Sequence, residues 1–184
     1  MNFKIVFAIA AGLLLAGCYE SQTNLLNPAA ARQPIASNSG WTDTRSDSTY
    51  HNRLSIRSDG WYDFSEAEIG QDGKEGDWET HTVLLNDLGS RNGWALYAFA
   101  SWDTSEKAYV YGIVGVGNGT WRSAQPSCDT TADSPPEVGI AVQAGARHDN
   151  DKGICVFSDS ASLLTALRNY SETDGFWKKL NRQN

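Results

Sequence analysis

Carboxylates are the most concentrated reactive groups in this sequence. Seven lie between residues 62 and 81, in the segment YDFSEAEIGQDGKEGDWETH. They are Asp63, Glu66, Glu68, Asp72, Glu75, Asp77 and Glu79. A glycosidase uses a pair of carboxylates, one as acid and one as nucleophile or base, and carboxylate oxygens also bind calcium. Neither a glycosidase pair nor a calcium site has its specific spacing here, so the segment is interpreted as a solvated, flexible loop. A carboxylate-dependent cell-wall hydrolase remains an alternative.

Other catalytic and cofactor motifs are incomplete. The segment DNDKG (149–153) lacks the third acidic position and the distal Glu of an EF-hand loop. His51, His81 and His148 are scattered, and no HExxH or GxSxG motif is present. The glycines of VGVGNGT (114–120) alternate and do not follow the spacing of a nucleotide-binding loop. Alternating glycines predict a strand whose one face has no side chains, so that an aromatic ring or another backbone can pack against it. We expect no metal and no cofactor.

Aromatic side chains are numerous, with seven Trp, seven Tyr and six Phe. Trp61, Tyr62, Trp78 and Trp121 stand beside Gly, Asp or Arg, near expected turns. Partly exposed Trp and Tyr next to polar groups suit protein contacts and sugar stacking, and core packing is the alternative. These four residues and Asp63 are the predicted binding residues.

The first seventeen residues have the layout of a secretory signal peptide. Lys4 supplies a positive charge, residues 5–15 are apolar, and Ala16 and Gly17 are small. An apolar run of eleven residues is too short for a permanent membrane span, which needs roughly 20. The segment therefore indicates export.

Leu15-Ala16-Gly17-Cys18 resembles the lipobox of bacterial lipoproteins. The resemblance implies that the mature chain begins at Cys18, with acyl chains such as palmitate on its sulfur and its amine. Two or more acyl chains make a stable membrane anchor. Tyr19 and Glu20 follow the cysteine in place of an inner-membrane aspartate, which favours the outer membrane, facing the periplasm.

If Cys18 carries lipid, Cys128 and Cys155 are left as a pair in an oxidising compartment. A disulfide closing this loop of 27 residues would stabilise the fold by roughly 3–4 kcal/mol in the chain-entropy model. Zinc is a poor alternative, because two separated cysteines do not complete a set of four ligands.

The net charge is −7, and loss of the signal, whose one charged residue is Lys4, leaves −8. This acidic balance argues against a nucleic-acid partner. It favours a basic protein partner, with plain solubility as the alternative.

The chain is expected to contain a signal peptide (1–17), a flexible tether from the lipidated cysteine (18–48) and a β-rich domain (49–184). Strands are predicted at 54–57, 80–85, 94–102, 107–117, 137–145 and 153–157, with the third and fourth forming a hairpin. Ser158, Asp159 or Ser160 caps a helix that carries Leu163, Leu164, Leu167 and Tyr170. Phe176, Trp177 and Leu180 follow in a last turn that packs on the sheet. The predicted fold class is α+β, mainly β, an antiparallel sheet or sandwich with C-terminal helices and one disulfide.

The sequence thus predicts an envelope lipoprotein that acts as a non-enzymatic binding module. Its expected partners are the membrane, through Cys18, and a basic envelope or secreted protein. An inhibitor or immunity protein against a cell-wall-active or toxic protein would fit this description. Three alternatives remain: a glycan- or peptidoglycan-binding lipoprotein, a structural lipoprotein of an envelope or secretion assembly, and the hydrolase.

Overall fold

A computed structural model describes residues 19–35, 39–45, 48–104, 106–117, 120–129 and 136–181. The fold is α+β and mainly β, with ten strands and three helices in the described part. The strands are β1 Tyr19–Ser21, β2 Ser39–Arg45, β3 Ser48–Ile56, β4 Tyr62–Ile69, β5 Glu79–Arg91, β6 Trp94–Asp103, β7 Ala108–Gly117, β8 Thr120–Ala124, β9 Arg147–Asp149 and β10 Ile154–Val156. The helices are α1 Pro136–Gln143, α2 Ser160–Tyr170 and α3 Asp174–Asn181. The predicted signal peptide and Cys18 lie outside the described residues.

All described strands belong to one sheet, in the order β2-β3-β4-β5-β6-β7-β1-β10-β9. From β2 to β7 neighbouring strands are antiparallel, and β8 pairs with the last part of β7. The short strand β1 lies between β7 and β10, antiparallel to the first and parallel to the second. Strands that are consecutive in the chain thus form most of the sheet, and β1 joins them to its last two strands.

The three helices share a hydrophobic core with one face of the sheet. Side chains alternate along a strand, and the members of this core are spaced two apart on each central strand. From the strands they are Leu84, Leu96, Ala98, Ala100, Tyr111 and Ile113, and from the last two helices Leu163, Leu167, Tyr170, Phe176 and Leu180. The opposite face carries a second, smaller cluster that includes Tyr62, Leu85, Phe99 and Val114.

The alternating glycines of β7 leave room for large side chains on the helix-covered face. A Cβ at Gly115 would lie 3.2 Å from the Trp94 ring and 3.2 Å from Leu180, and one at Gly117 would lie 3.2 Å from the Trp94 ring. Real Cβ atoms are rarely this close to their neighbours. The prediction of a bare strand face is confirmed for these two glycines, and Gly119 lies outside the described residues.

The structure differs from the predicted tether over residues 19–35, which pack into the domain. Tyr19, Leu26 and Ile35 are buried, with 0%, 2% and 8% of their surfaces exposed. Side chains of the sheet bind the backbone of this segment, so it is held in the domain without an apolar period. Tyr111 Oη donates to Thr23 O (2.9 Å) and accepts from Leu25 N (2.9 Å).

The rest of this segment continues across the sheet. Asn86 Oδ1 accepts from Asn27 N (2.8 Å), and Asn86 Nδ2 donates to Asn27 O (3.0 Å). Tyr62 Oη accepts from Ile35 N (3.0 Å) and donates to Ile35 O (3.1 Å). We call residues 22–35 the N-terminal strap. The domain therefore includes residues 19–35, which were predicted as part of the tether.

Residues 137–145, predicted as a strand, form helix α1 instead. Val138, Ile140 and Val142 alternate as in a strand, but Glu137 and Ala141, four residues apart, are the buried positions and Val142 is 49% exposed, as on a helix. Pro136 begins the helix, where its missing N–H costs no hydrogen bond, and Gly145, with φ of 105°, follows its end. Ala146 N donates to Ala141 O (2.9 Å) and completes the turn.

The acidic segment 62–81 is a β-hairpin instead of a flexible loop. Its first half is β4 and its last residues begin β5, paired from Tyr62↔Val83 to Glu66↔Glu79. Alternation explains the strand, because Tyr62 and Phe64 pack on the second cluster while Asp63 points to the other face. Only residues 70–78 lie between the two strands.

The remaining predicted elements are confirmed. Strands β6 and β7 form the expected hairpin, β5 contains the predicted segment 80–85, and β3 and β10 overlap the predicted segments 54–57 and 153–157. Asp159 Oδ1 accepts from Ser162 N (2.8 Å) and caps α2. Phe176 and Leu180 of α3 are fully buried against the sheet.

The Cys128–Cys155 disulfide is present, with Cα atoms 5.8 Å apart, within the ordinary range. It joins the segment after β8 to strand β10. His148 Nε2 lies 3.0 Å from Cys128 O, a second link at the same place. None of the described helices is long and apolar enough to cross a membrane.

Replacing Tyr111 by Phe should lower the free energy of unfolding by about 0.5–1.5 kcal/mol, because Thr23 O and Leu25 N would lose this partner in a partly buried site. The measurement is urea denaturation of both proteins. Tyr97→Phe is the matched control, since Tyr97 is half-buried and its hydroxyl has no hydrogen-bond partner among the described residues. If Y111F is as stable as Y97F, the strap is not held by this hydroxyl.

Candidate functional site: the Trp78 groove

A shallow groove of about 250 Å³ lies on β2, β3 and the turn between β4 and β5. Its lining residues combine an aromatic ring, a cation, an imidazole and a carboxylate. They are Gly40, Thr42, His51, Asn52, Arg53, Glu75 and Trp78. We call it the Trp78 groove.

Strand register places the groove residues of β3. His51 and Arg53 are two residues apart, so they point to the same face of the sheet. Across the β2–β3 ladder they pair with Thr42 and Gly40. Because Gly40 has no side chain, the groove is open beside Arg53.

The β4–β5 turn carries Glu75 and Trp78 to these strand residues. Backbone hydrogen bonds hold the turn, from Gly70 N to Lys74 O (2.9 Å) and from Gly76 N to Glu68 O (2.8 Å). An isolated bridge pairs Glu75 with Ile69. Glu75 is therefore fixed by its backbone and not only by its side chain.

The Glu75 carboxylate is the polar centre of the groove. Its Oε1 lies 2.7 Å from His51 Nδ1, and its Oε2 accepts from Trp78 Nε1 (3.1 Å). Arg53 Nη2 is 4.0 Å from Oε2. The hydrogen bonds from His51 and Trp78 hold the pKa of Glu75 below its usual value, so Glu75 is ionised at neutral pH.

Arg53 stacks on Trp78, with its guanidinium carbon 3.9 Å from the ring centroid. The cation–π contact orients the side chain, although its surface is 65% exposed. Among the described residues its guanidinium has no hydrogen-bond partner. An oriented guanidinium with free donors can bind a carbonyl or carboxylate of a partner without first losing an internal bond.

Acid–base catalysis is not favoured in this groove. A general acid needs a proton at working pH, and Glu75 has given up its proton. His51 uses Nδ1 toward Glu75, which leaves Nε2 toward the groove. No group of three His, Cys, Asp or Glu side chains suited to a metal ion occurs in the described part of the chain.

The predicted binding residues do not form one surface. Tyr62 is 1% exposed and its hydroxyl donates to Ile35 O, so the structure places it in the core and not on the surface with Trp78. Trp61 is half-buried against the main core, about 20 Å along the hairpin from Trp78 at a strand rise of about 3.4 Å per residue. Trp121 packs against the second cluster.

Several predicted charges are engaged within the chain. Asp63 Oδ1 lies 3.2 Å from Arg57 Nη1, and the same guanidinium binds Asp59 at 2.9 Å. Asp72 pairs with Lys74 at 3.2 Å. Of the predicted binding residues, Trp78 is therefore the one that the structure places in the groove.

Sequence reasoning missed His51 and Arg53 as partners of Trp78. The predicted strand began at residue 54, whereas β3 begins at Ser48. Had the strand been extended, the spacing of two between these residues would have placed them on one face. Their contact with the β4–β5 turn depends on register, which the sequence does not contain.

One carboxylate outside the groove has a strongly altered acidity. Glu20 in β1 is 5% exposed, and its burial, followed by the nearby charges of Glu106 and Asp103, raises its pKa to about 7 against the partial relief of Lys152. Its acidity would suit a general acid. Four strands lie between β1 and β3 in the sheet, so Glu20 cannot act with the groove residues.

Comparison with protein families, with curated proteins and with solved structures gives no significant match.

The raised pKa of Glu20 should make folding less stable as pH rises. The unfolded carboxyl loses its proton near pH 4.5, while the folded one keeps it to about pH 7, so the folded state binds more protons between these values. The stabilising effect of protonated Glu20 is complete below about pH 4.5, and the free energy of unfolding falls by about 2–3 kcal/mol as the pH rises to about 7.5. Glu20→Gln should remove this loss.

Urea denaturation at pH 5 and pH 8 measures the effect. The stability gain of E20Q over the original chain should be larger at pH 8 than at pH 5. Asp77→Asn, at an exposed position of the β4–β5 turn, should show no such difference. A pH-independent difference for E20Q would refute the assignment.

Proposed function

We propose that this chain is a lipoprotein of a bacterial envelope, anchored through Cys18, whose domain binds a partner protein at the Trp78 groove without catalysing a reaction. The anchor is supported by the lipobox and signal sequence. The groove supplies the binding chemistry. A basic envelope or secreted protein is the proposed partner, bound in the manner of an inhibitor or immunity protein.

The observation that carries this proposal is the stacked Arg53–Trp78 pair, held at its edge by Glu75. Tryptophan and arginine are the residue types most enriched at the energetic centres of protein interfaces. Here Trp78 donates to Glu75 and Arg53 covers one ring face, so both side chains are ordered before a partner arrives. Ordering in advance lowers the entropy cost of binding.

The alternatives have less support from this geometry. A sugar that stacks on Trp78 would have to displace Arg53 from the ring face it covers at 3.9 Å, or use the other face. A carboxylate hydrolase requires a protonated carboxyl beside an ionised one, and Glu75, which is ionised, is the one carboxylate among the described residues that line the groove. Binding of a protein requires neither the displacement of Arg53 nor a protonated carboxyl.

Trp78→Ala should weaken partner binding by about 30-fold, equivalent to about 2 kcal/mol, because it removes the ring and the support of Arg53. Tagged, lipidated full-length protein is used to isolate partners from the envelope fraction, and affinities for the purified partner are then measured at low and high salt. Arg53→Lys keeps the charge and loses the planar stack, so its loss should be intermediate.

Trp102→Ala is the matched control, since Trp102 is a 36% exposed tryptophan at the end of β6. It should bind within about threefold of the original chain, as expected for a residue outside the contact. Equal losses for W78A and W102A, or no partner protein, would contradict the proposal. Retention on peptidoglycan that is insensitive to salt would instead favour glycan binding, and lysis of peptidoglycan that is abolished by Glu75→Gln would favour the hydrolase.

A further inference from the structure

Strand β2 forms one edge of the sheet. It pairs with β3 on its inner side, and none of the described strands pairs with its outer side. In an antiparallel pair, alternate residues direct their backbone N–H and C=O groups away from the neighbouring strand. The outer edge of β2 therefore presents donors and acceptors that a further strand can bind.

Most features that protect edge strands from pairing with another chain are missing from β2. Proteins commonly use very short edge strands, bulges, Pro and Lys for this purpose. Strand β2 has seven residues, contains neither Pro nor Lys, and pairs with β3 in unbroken register. Its two charged residues, Asp43 and Arg45, are in the half away from Gly40. The strand at the other end of the sheet order, β9, has only three residues. The part of β2 near Gly40 is thus open to the addition of a strand.

The Trp78 groove reaches this edge at Gly40. Gly40 and Thr42 are exposed and line the groove together with Arg53 and Trp78. Gly40 pairs with Arg53, so the side chain of a residue added beside Gly40 can point to the same face of the sheet as Arg53. The Cα atoms of this residue and Arg53 would be two strand spacings apart, about 10 Å. No side chain lies between them, because the intervening residue is glycine.

Arg53 determines what this added side chain should carry. Its guanidinium is stacked on Trp78 and has no hydrogen-bond partner among the described residues. The Glu75 oxygen beside it is 4.0 Å away, beyond hydrogen-bond distance. A carboxylate that entered the groove over Gly40 could accept the free N–H donors in charge-assisted hydrogen bonds. Asp and Glu are therefore the complementary residue types.

We propose that the partner protein adds an extended strand to the outer edge of β2 and places an Asp or Glu side chain over Gly40, where it binds Arg53. This inference rests on the proposed function and deepens it, because it specifies how the partner binds at the Trp78 groove. In strand addition, backbone hydrogen bonds supply affinity and the side chains of alternate residues supply specificity. A partner that is basic overall can present one such acidic side chain.

A synthetic peptide tests the strand addition on lipidated full-length protein in detergent micelles. It has about nine residues, an ordinary strand length, in which Thr and Val alternate and Glu replaces the central Thr. Lys residues at both ends keep it soluble. Fluorescence anisotropy of the labelled peptide gives its affinity, and hydrogen–deuterium exchange with mass spectrometry shows which backbone amides it protects.

Binding should slow the exchange of amides in β2 and leave the exchange of α2 unchanged. Two further peptides carry N-methyl groups, one on the Val amides and the other on the Thr and Glu amides. Only one of these two sets of amides can face β2, so one peptide should bind at least about tenfold more weakly than the other. A peptide with Gln in place of Glu should bind about threefold to tenfold more weakly than the original peptide, because its bond to Arg53 lacks the charge.

Gly40→Val tests the path over Gly40. The nearest atom to an added Cβ would be Asn52 O at 3.5 Å, an ordinary contact, and φ of Gly40 is outside the left-handed region. Val also favours strands, so the unfolding temperature of G40V should not fall. The new side chain would occupy the groove beside Arg53, and the Glu peptide should bind at least about tenfold more weakly.

Gly139→Val is the matched control. Gly139 is an exposed residue of α1, and an added Cβ would have no atom within 4 Å. Its affinity for the peptide should stay within about twofold of that of the original chain, as expected for a residue outside the contact. Unchanged exchange in β2, equal affinities of the two N-methylated peptides, or equal affinities of G40V and G139V would overturn the strand addition. None of these results would contradict the proposed function, which fails instead if W78A binds the purified partner as tightly as the original chain.

Discussion

The pairing of β1 with both β7 and β10 is the interaction on which the rest of the fold depends. Without it, the sheet order breaks between β7 and β10, and the last strands lose their hydrogen-bonded link to the β2–β7 meander. The disulfide at Cys155 is then the covalent link between β10 and the segment after β8. A strand of three residues is short, and its stability comes from burial on both sides more than from its length.

Polar contacts connect β1 to α1, and connect α2 and α3 to Gln125 just after β8. Tyr19 binds the backbone of Glu137 in α1, and Tyr170 of α2 donates to Gln125 O (3.1 Å). Lys179 of α3 donates both to Gln125 O and to the Glu137 carboxylate, each at 3.1 Å. The Glu137–Lys179 pair costs desolvation, and breaking one partner would leave a buried charge, so the pair specifies how α1 and α3 fit together more than it stabilises them.

Sequence reasoning predicted the elements whose signal is local. The continuous apolar runs of β6 and β7, the cap at Asp159 and the spacing of Leu163 and Leu167 depend on near neighbours in the chain. The N-terminal strap was missed because its burial is supported from afar, by Tyr111, Asn86 and Tyr62, up to 88 residues away. Tyr62 shows the same limit at the candidate site. A tyrosine beside Trp and Asp has the composition of a contact residue, and only the return of Ile35 across the sheet makes it part of the core.

In the proposed function, the net negative charge acts at long range and the groove acts at contact distance. Near the groove, Glu75 lies 4.0 Å from Arg53 and Asp72 lies 3.2 Å from Lys74, so the fields of these two carboxylates are weakened at longer range. The net charge of −7 comes from the whole chain, and such a field speeds the encounter with a basic protein without selecting one. Selection then requires short-range groups with fixed geometry, which Arg53 and Trp78 provide. Salt should therefore act mainly on the association rate, and changes at Trp78 mainly on the dissociation rate, because the first depends on long-range charge and the second on contacts formed in the complex.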